Sequence, residues 1–429
     1  MTGQEGLFLA VIAALLLGWV LVAQLAERRG VTAPMAFIVT GAVLTASLRA
    51  ELTAGTVLFL AEITLALVLF HDASTVRFAE LRRDPWISIR LLAVGFPLAL
   101  ALTAATSAWL LPSIGVAGAV LIAGAITPTD AGLGAPTILN PIVPLRARRA
   151  LNVESGLNDG LATPVVLGAL AIMLQASDPN GDTELPSALS LAGVPVAYAL
   201  IIAVVVGLVG AWLLDRSLER GWSNRRGRAI AVLALPLLVF GLAELSEANT
   251  LIAAFVSGLV FGRASRTVEE EPEASETLEI AADIVSAVLW FLAGGLLVAA
   301  LEDGFRWQWL ILAVAALTVL RLLPVAVSLI GTGFQWPTVA FLGWFGPRGV
   351  ATIVFGLIAV EELGEGDPRL DDVGGVLSLT VLLSVFAHGI TAGPLSNRYG
   401  RWVQRSHPPI ELEPSVEPMP SRGRTSSQQ

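Results

Sequence analysis

Long apolar runs separated by short polar segments make up most of this sequence. Thirteen of the runs are of helical length, and they lie at residues 6–26, 34–48, 55–70, 86–111, 115–125, 151–174, 188–214, 229–245, 251–261, 281–301, 309–330, 338–360 and 375–395. About 20 apolar residues cross the hydrocarbon core of a bilayer as a helix. Charged residues make up only 14% of the chain, against about a quarter in a soluble protein. The sequence therefore predicts an all-α polytopic membrane protein with about 13 transmembrane helices.

The composition excludes several classes of chemistry. Cysteine is absent, which rules out disulfides, thiolate metal sites and cysteine nucleophiles. The histidines are His71, His388 and His407, and they form no H-E-x-x-H motif. Ser155 lies in no G-x-S-x-G motif, so both zinc and serine hydrolases lack their parts. The net charge of −9 argues against nucleic-acid binding. We therefore expect neither enzymatic activity nor a cofactor.

The arginines indicate how the chain is oriented in the bilayer. They cluster after the odd-numbered spans, at residues 28–29, 77–83, 146–149, 216–228, 263–266 and 398–405. The segments after even-numbered spans, such as 178–184 and 361–372, are mainly acidic. Because arginine-rich loops stay on the cytoplasmic side, the N-terminus is predicted outside and the C-terminus inside.

The sixth span carries an unusual polar face. Residues 150–162 read A-L-N-V-E-S-G-L-N-D-G-L-A, and at helical spacing Glu154, Ser155, Asn158 and Asp159 fall within an arc of roughly 140°. An acidic residue at the centre of a membrane helix costs about 2.5–3.5 kcal/mol on insertion scales, so such residues usually serve a function. This face is therefore the first candidate for a substrate site.

Two spans are interrupted by helix-breaking residues. In the fifth, I-T-P-T-D-A-G-L-G-A-P (126–136) places Thr127, Thr129 and Asp130 beside two prolines and two glycines. In the twelfth, F-L-G-W-F-G-P-R-G surrounds Arg348. Broken helices are tolerated in a membrane where they are buried in protein or line a wet cavity. Matching interruptions in two halves of a chain indicate a transporter site, with oxygens suited to a monovalent cation.

The positions of the breaks predict two inverted six-helix repeats whose broken helices cross. We expect a membrane transport domain at 1–400, with repeat one at about 6–175, a linker helix at about 188–214 and repeat two at about 227–396. Residues 401–429 are rich in proline and polar residues, and we expect a disordered cytoplasmic tail there.

Two arginines within spans require acidic partners. Arg321 lies in the middle of span eleven, where an unpaired guanidinium would be very costly. We expect Glu154 to pair with Arg321 as a structural tie, and Arg348 to compensate Asp130 and nearby carbonyls. Asp159 would then remain as the acid that binds the ion and the proton. Which acid pairs with which arginine stays open at this point.

The motifs around these residues resemble those of sodium/proton exchangers of the NhaP type. Residues 154–160, E-S-G-L-N-D-G, are similar to the family's E-S-L-L-N-D-G, residues 127–130, T-P-T-D, to S-P-T-D-P, and residues 346–349, G-P-R-G, to G-x-R-G. The resemblance implies that Asp159 binds sodium and protons, with Thr129 and Ser155 as ion ligands and Asn158 and Asp130 in the same core. It also implies a homodimer, a core domain that moves like an elevator against a dimerisation domain, and exchange of one cation for one proton.

The chain departs from the family pattern in two places. Ala131 replaces a proline after Asp130, and L-F-H-D-A at 69–73 replaces L-F-x-E-G. Asp72 and Thr127 are therefore possible members of the site, in addition to the residues named above. Potassium/proton exchange is the main alternative, and a cation channel or an intramembrane enzyme is less favoured. The expected location is the plasma membrane of a prokaryotic cell.

Overall fold

The computed structural model describes residues 3–48, 54–76, 85–176, 185–267, 272–302, 304–364 and 366–413. Its α-helices, in chain order, are α1 (Gly3–Arg28), α2 (Ala33–Leu48), α3 (Ala54–Ser74), α4 (Pro85–Arg90), α5 (Phe96–Leu110), α6 (Gly115–Ile126), α7 (Ala131–Ile138), α8 (Leu145–Ala176), α9 (Leu185–Glu219), α10 (Arg225–Leu245), α11 (Thr250–Ala264), α12 (Glu276–Glu302), α13 (Trp307–Leu317), α14 (Val319–Ser328), α15 (Trp336–Trp344), α16 (Val350–Leu363) and α17 (Arg369–Ser406).

These helices form thirteen membrane segments within the described part of the chain. Four segments consist of two helices each: α4 with α5, α6 with α7, α13 with α14, and α15 with α16. Ten segments are long and apolar enough to cross a bilayer, and α2 and α11 are shorter apolar helices. The broken segment formed by α15 and α16 completes the set. The predicted all-α architecture of about 13 spans is therefore confirmed.

The segments pack into two bundles. The scaffold bundle contains α1–α3 and α9–α12, in which α2 packs along α12 and α11 packs against α3 and α9. The core bundle contains α4–α8 and α13–α17, in which α6 packs against α5 and α8, and α13 against α17. Each six-span half contributes three spans to each bundle. Because a single span, α9, separates the halves, they cross the membrane in opposite senses, as in an inverted repeat.

Glycines allow very close helix packing in the scaffold bundle. A Cβ atom on Gly41 of α2 would lie 1.9 Å from the carbonyl oxygen of Phe291, and one on Gly294 of α12 would lie 2.1 Å from that of Ile38. The backbones of α2 and α12 are therefore in contact. Small residues provide this packing in membranes, where apolar side chains gain little by leaving lipid.

The helix ends differ from the sequence interpretation in two places. α8 begins at Leu145, so Arg146, Arg148 and Arg149 lie in its first turns and not in a loop. α17 continues to Ser406, and Glu411 is buried, accepting hydrogen bonds from the amide of Gln335 (2.9 Å) and the hydroxyl of Thr338 (2.7 Å).

The predicted disordered tail therefore needs correction at its start, because residues 401–413 form helix and packed turns. The physical reason is that the buried carboxylate of Glu411 fills hydrogen-bonding positions at the start of α15. The rest of the predicted tail, 414–429, lies outside the described residues. So do Arg77, Arg82 and Arg83 of the predicted cytoplasmic loop after span three.

Candidate functional site

The break in span five is a four-residue segment between α6 and α7. α6 ends at Ile126 and α7 begins at Ala131, so Thr127, Thr129 and Asp130 lie in unwound backbone together with Pro128. Asp130 has an extended backbone and its Oδ1 accepts a hydrogen bond from the amide of Leu133 (3.0 Å). It is therefore the N-cap of α7, a position for which aspartate is strongly preferred.

The break in span twelve crosses the first one. α15 ends at Trp344 and α16 begins at Val350. The amide of Asp130 donates to the carbonyl of Pro347 (2.7 Å), and the amide of Val350 donates to Asp130 Oδ2 (2.9 Å). One carboxylate thus caps the N-termini of two half-helices from opposite halves of the chain. The positive ends of both helix dipoles favour its negative charge.

Two glycines make the crossing sterically feasible. A Cβ atom on Gly349 would lie 1.9 Å from Asp130 Oδ2, and one on Gly346 would lie 2.6 Å from Nε of Arg321. No side chain fits at either position without displacing a charged group. Gly346 and Gly349 are therefore required because the side chains of Arg321 and Asp130 approach the backbone at these positions.

Thr129 is the centre of a buried polar network. Its Oγ1 lies 2.8 Å from Ser155 Oγ and accepts a hydrogen bond from Asn158 Nδ2 (2.7 Å). Among the described residues, Asn158 Oδ1 and Thr127 Oγ1 are buried without a hydrogen-bond partner. Buried polar atoms normally have partners, so unused oxygens beside unwound backbone are suited to bind a cation.

Asp159 follows Asn158 on α8 and is buried, with 6% of its surface exposed. Its backbone carbonyl accepts a hydrogen bond from the hydroxyl of Thr163 (3.0 Å). The next residue, Gly160, faces the scaffold bundle, because a Cβ atom there would lie 2.3 Å from the ring of Phe255 on α11. α8 therefore contacts the scaffold bundle at the residue that follows Asp159.

Asp72 approaches the same helix from the scaffold bundle. It lies within α3, is buried, and its Oδ1 is 3.3 Å from Nδ1 of His71. A Cβ atom on Gly156 would lie 3.4 Å from the carbonyl oxygen of Asp72. Asp72 is thus buried in the last turn of α3, and its backbone carbonyl packs against Gly156, which precedes Asp159 by about one turn of α8.

Glu154 and Arg321 form a buried ion pair. Arg321 Nη2 donates to Glu154 Oε2 (2.7 Å), and Nη1 donates to Oε1. Both side chains are nearly inaccessible to solvent. The structure thus contains the structural tie between spans six and eleven that the sequence suggested.

Arg348 contacts carbonyls at the break, as expected, but the expected compensation of Asp130 by Arg348 is wrong. Arg348 donates to the carbonyls of Pro128 (3.0 Å) and Ala316 (3.4 Å), whereas both carboxylate oxygens of Asp130 accept from backbone amides. The physical reason is that unwound backbone leaves carbonyls and amides in need of partners. The guanidinium of Arg348 donates to the carbonyls, and the carboxylate of Asp130 accepts from the amides.

Sequence reasoning missed two residues of α17 at this crossing. Ser384 Oγ accepts from the amide of Arg348 (2.5 Å), and His388 Nε2 lies 2.8 Å from the carbonyl of Trp344. The available signal was the spacing of Ser384, His388 and Thr391 at i, i+4 and i+7 in an otherwise apolar span. It is the same kind of polar face that marked span six.

Comparisons with known proteins identify the family of this chain. Residues 11–398 match the family of sodium/hydrogen exchangers, transmembrane. A Na(+)/H(+) antiporter of Schizosaccharomyces pombe is 27% identical over 342 residues, covering 71% of this chain and 71% of that protein. The K(+)/H(+) antiporter NhaP2 of Shewanella sp. (strain MR-4) is 24% identical over 380 residues, and the match covers 86% of this chain but 63% of that protein.

The sodium proton antiporter MjNhaP1 from Methanocaldococcus jannaschii has a similar fold. Its structure at pH 8 superposes with a TM-score of 0.70 at 19% identity, covering 92% of this chain and 99% of that one. The likeness in fold therefore extends over most of both chains. Since the family match also covers most of the sequence, the chain belongs to the sodium/hydrogen exchanger family.

Proposed function

We propose that this protein is a secondary active transporter that exchanges sodium or lithium for protons. The observation that carries the proposal is the buried network of Thr129, Ser155 and Asn158 at the break in span five. The buried carboxylate of Asp159 follows Asn158 directly in the sequence. The family membership of the chain supports the same activity.

The exchange follows from competition for one carboxylate. Sodium binds to Asp159 in its ionised form, with Thr129, Ser155 and the free Asn158 Oδ1 as further oxygen ligands. A proton on Asp159 removes the charge that holds the ion. Because the two ligands exclude each other, a carrier that reorients only when loaded couples their fluxes.

A single working acid is consistent with electroneutral exchange. Both carboxylate oxygens of Glu154 accept from the Nη groups of Arg321. Both carboxylate oxygens of Asp130 accept from backbone amides. Asn158 cannot titrate. One cation would therefore be exchanged for one proton through Asp159.

Alternating access in our proposal is movement of the core bundle against the scaffold bundle. The contact between Gly160 of α8 and Phe255 of α11 lies on the boundary along which the bundles would slide. The broken helices and Asp159 all belong to the core bundle, so the site would move as one body.

Assembly and location are further parts of the proposal. We infer a homodimer in the plasma membrane of a prokaryotic cell, with the N-terminus outside and the C-terminus in the cytoplasm. In support, only 6% of the apolar segment Leu9–Glu27 of α1 is buried within its own chain. Orientation rests on the arginine-rich segments that follow odd-numbered spans.

Potassium/proton exchange is the second candidate, because the Shewanella relatives are named as K(+)/H(+) antiporters. A set of carboxylate, hydroxyl and amide oxygens does not by itself define an ionic radius. A cation channel would conduct without obligatory counter-flow of protons, and an intramembrane enzyme would not transport ions.

The test is proton flux in proteoliposomes, followed with a pH-sensitive dye after addition of sodium, lithium or potassium. We expect cation-dependent proton efflux that Asp159→Asn abolishes. The matched control, Asp371→Asn, removes an exposed carboxylate at the start of α17 and should retain the flux. Full flux in Asp159→Asn would disprove the role of this carboxylate, and absence of flux with every ion in the wild type would disprove antiport.

A further inference from the structure

A row of polar side chains on α17 holds both ends of the break in span twelve. Ser384, His388 and Thr391, the α17 polar row, share one face of the helix. The amide of Arg348 donates to Ser384 Oγ (2.5 Å), and His388 Nε2 lies 2.8 Å from the carbonyl of Trp344. The indole Nε1 of Trp344 donates to Thr391 Oγ1 (3.0 Å). Each residue of the row therefore satisfies a different group at the break.

Both ring nitrogens of His388 lie close to backbone carbonyls. Nδ1 is 2.9 Å from the carbonyl oxygen of Ser384 and 3.3 Å from its Oγ, and Nε2 is 2.8 Å from the carbonyl oxygen of Trp344. Because a carbonyl oxygen can only accept, a hydrogen on Nε2 makes the bond to Trp344. The imidazole therefore links the backbone of α17 to the end of α15.

The break held by this row in turn holds the break in span five. Arg348 Nη1 donates to the carbonyl of Pro128 (3.0 Å), and the amide of Asp130 donates to the carbonyl of Pro347 (2.7 Å). Thr129 lies between these two anchor points. Its contacts with Ser155 and Asn158 thus depend on where the span-twelve backbone lies.

We propose that the α17 polar row positions the ion site by keeping the unwound backbone of span twelve in one hydrogen-bonded arrangement. This inference rests on the proposed exchange function. His388 and Ser384 are positioning residues, because they act on Thr129 through residues 344–348. His388 neither binds the transported ion nor carries the transported proton.

The experiment compares four variants in proteoliposomes: His388→Leu, His388→Gln, Ser384→Ala and Thr380→Val. Losing a buried hydrogen bond typically weakens an interaction about tenfold, so we expect His388→Leu and Ser384→Ala to raise the KM for sodium about tenfold. His388→Gln should recover most of the affinity, since its amide can donate to the carbonyl of Trp344.

Thr380→Val is the matched control for these variants. Thr380 is a buried residue of the same helix whose hydroxyl donates only to the carbonyl of Val376 within α17 (2.7 Å). It should behave like the wild type. A wild-type KM in His388→Leu would overturn the positioning role. A displaced pH profile in His388→Gln would also overturn it, because the imidazole itself would then titrate during transport.

Hydrogen exchange provides a readout that needs no transport. We expect amides of residues 345–350 to exchange faster in His388→Leu and Ser384→Ala than in the wild type or Thr380→Val. Unchanged exchange in α10 would show that these variants remain folded. If wild-type vesicles show no flux, the proposed cation/proton exchange is disproved, but the hydrogen-exchange measurement still tests the positioning role of the α17 polar row. Unchanged amide hydrogen exchange at residues 345–350 in these variants would by itself disprove the positioning role of the α17 polar row.

Discussion

Arg321 of α14 and Glu154 of α8 form a buried ion pair through two hydrogen bonds. Nε of the same guanidinium lies 2.6 Å from where a Cβ atom of Gly346 would be. The pair thus ties α8 to the other half of the chain.

Removing one partner of this pair should destabilise the protein strongly. Arg321→Met leaves the carboxylate of Glu154 buried without its counter-charge, and uncompensated buried charges cost about 3–5 kcal/mol. We expect a clearly lower melting temperature in detergent, and a smaller loss in the double variant Arg321→Met with Glu154→Leu. Glu219→Gln, which breaks the half-exposed ion pair with Arg216, should change the melting temperature little. Equal losses in single and double variants would contradict this account.

Gly349→Ala should abolish transport. The added methyl group would overlap Asp130 Oδ2, at 1.9 Å, and so force apart the two half-helix ends that share this carboxylate. Sodium-dependent proton flux is the measurement. Gly393→Ala is the control, because nothing lies within 4 Å of its position and alanine favours helix. Normal flux in Gly349→Ala would mean that the crossing tolerates separation.

Gly160→Ala should slow exchange by obstructing movement between the bundles. A methyl group there meets the ring of Phe255 at 2.3 Å. We expect a reduced maximum rate and recovery on combination with Phe255→Ala, which removes the obstacle. Gly168→Ala on the same helix has open space around it and should leave the rate unchanged. Failure of Phe255→Ala to restore the rate would place the defect within α8.

Thr129→Val should weaken sodium binding more than it lowers the maximum rate. The substitution preserves shape but removes the oxygen shared by Ser155 and Asn158, leaving their polar groups unpaired at a cost of about 1–3 kcal/mol. The weaker binding is measured as a higher KM for sodium in vesicles. Thr64→Val, a buried threonine that donates to the carbonyl of Leu60 in its own helix, is the control. An unchanged KM would remove Thr129 from the ligand set.

Glu411→Ala should reduce stability by loosening the start of α15. The carboxylate accepts from the amide of Gln335 and the hydroxyl of Thr338, and loss of such a cap costs about 0.5–2 kcal/mol. Thermal unfolding should detect the change. Leu412→Ala, at a neighbouring exposed position, should have no comparable effect. Identical melting of both variants would show that the C-terminal turns contribute nothing to the core bundle.

Much of the fold was readable from local patterns. Hydropathy predicted about 13 spans, and the prolines and glycines at 128–136 and 343–349 marked the breaks that separate α6 from α7 and α15 from α16. The polar face of span six was visible because Glu154, Ser155, Asn158 and Asp159 are conspicuous in an apolar run. The contribution of Ser384 and His388 was not predicted, because it depends on which face of span thirteen packs against the break in span twelve.

The sequence by itself determined the membrane class, the number of spans, the positions of the breaks and the acids available at the site. Tertiary structure alone decided the partners: Asp130 received amides from α7 and α16, and Arg348 received carbonyls in place of Asp130. Helix breaking and hydropathy depend on a few neighbouring residues, so a sequence displays them directly. Hydrogen bonds between residues 220 positions apart depend on how the two halves cross, and several acids could satisfy one arginine until packing selects one.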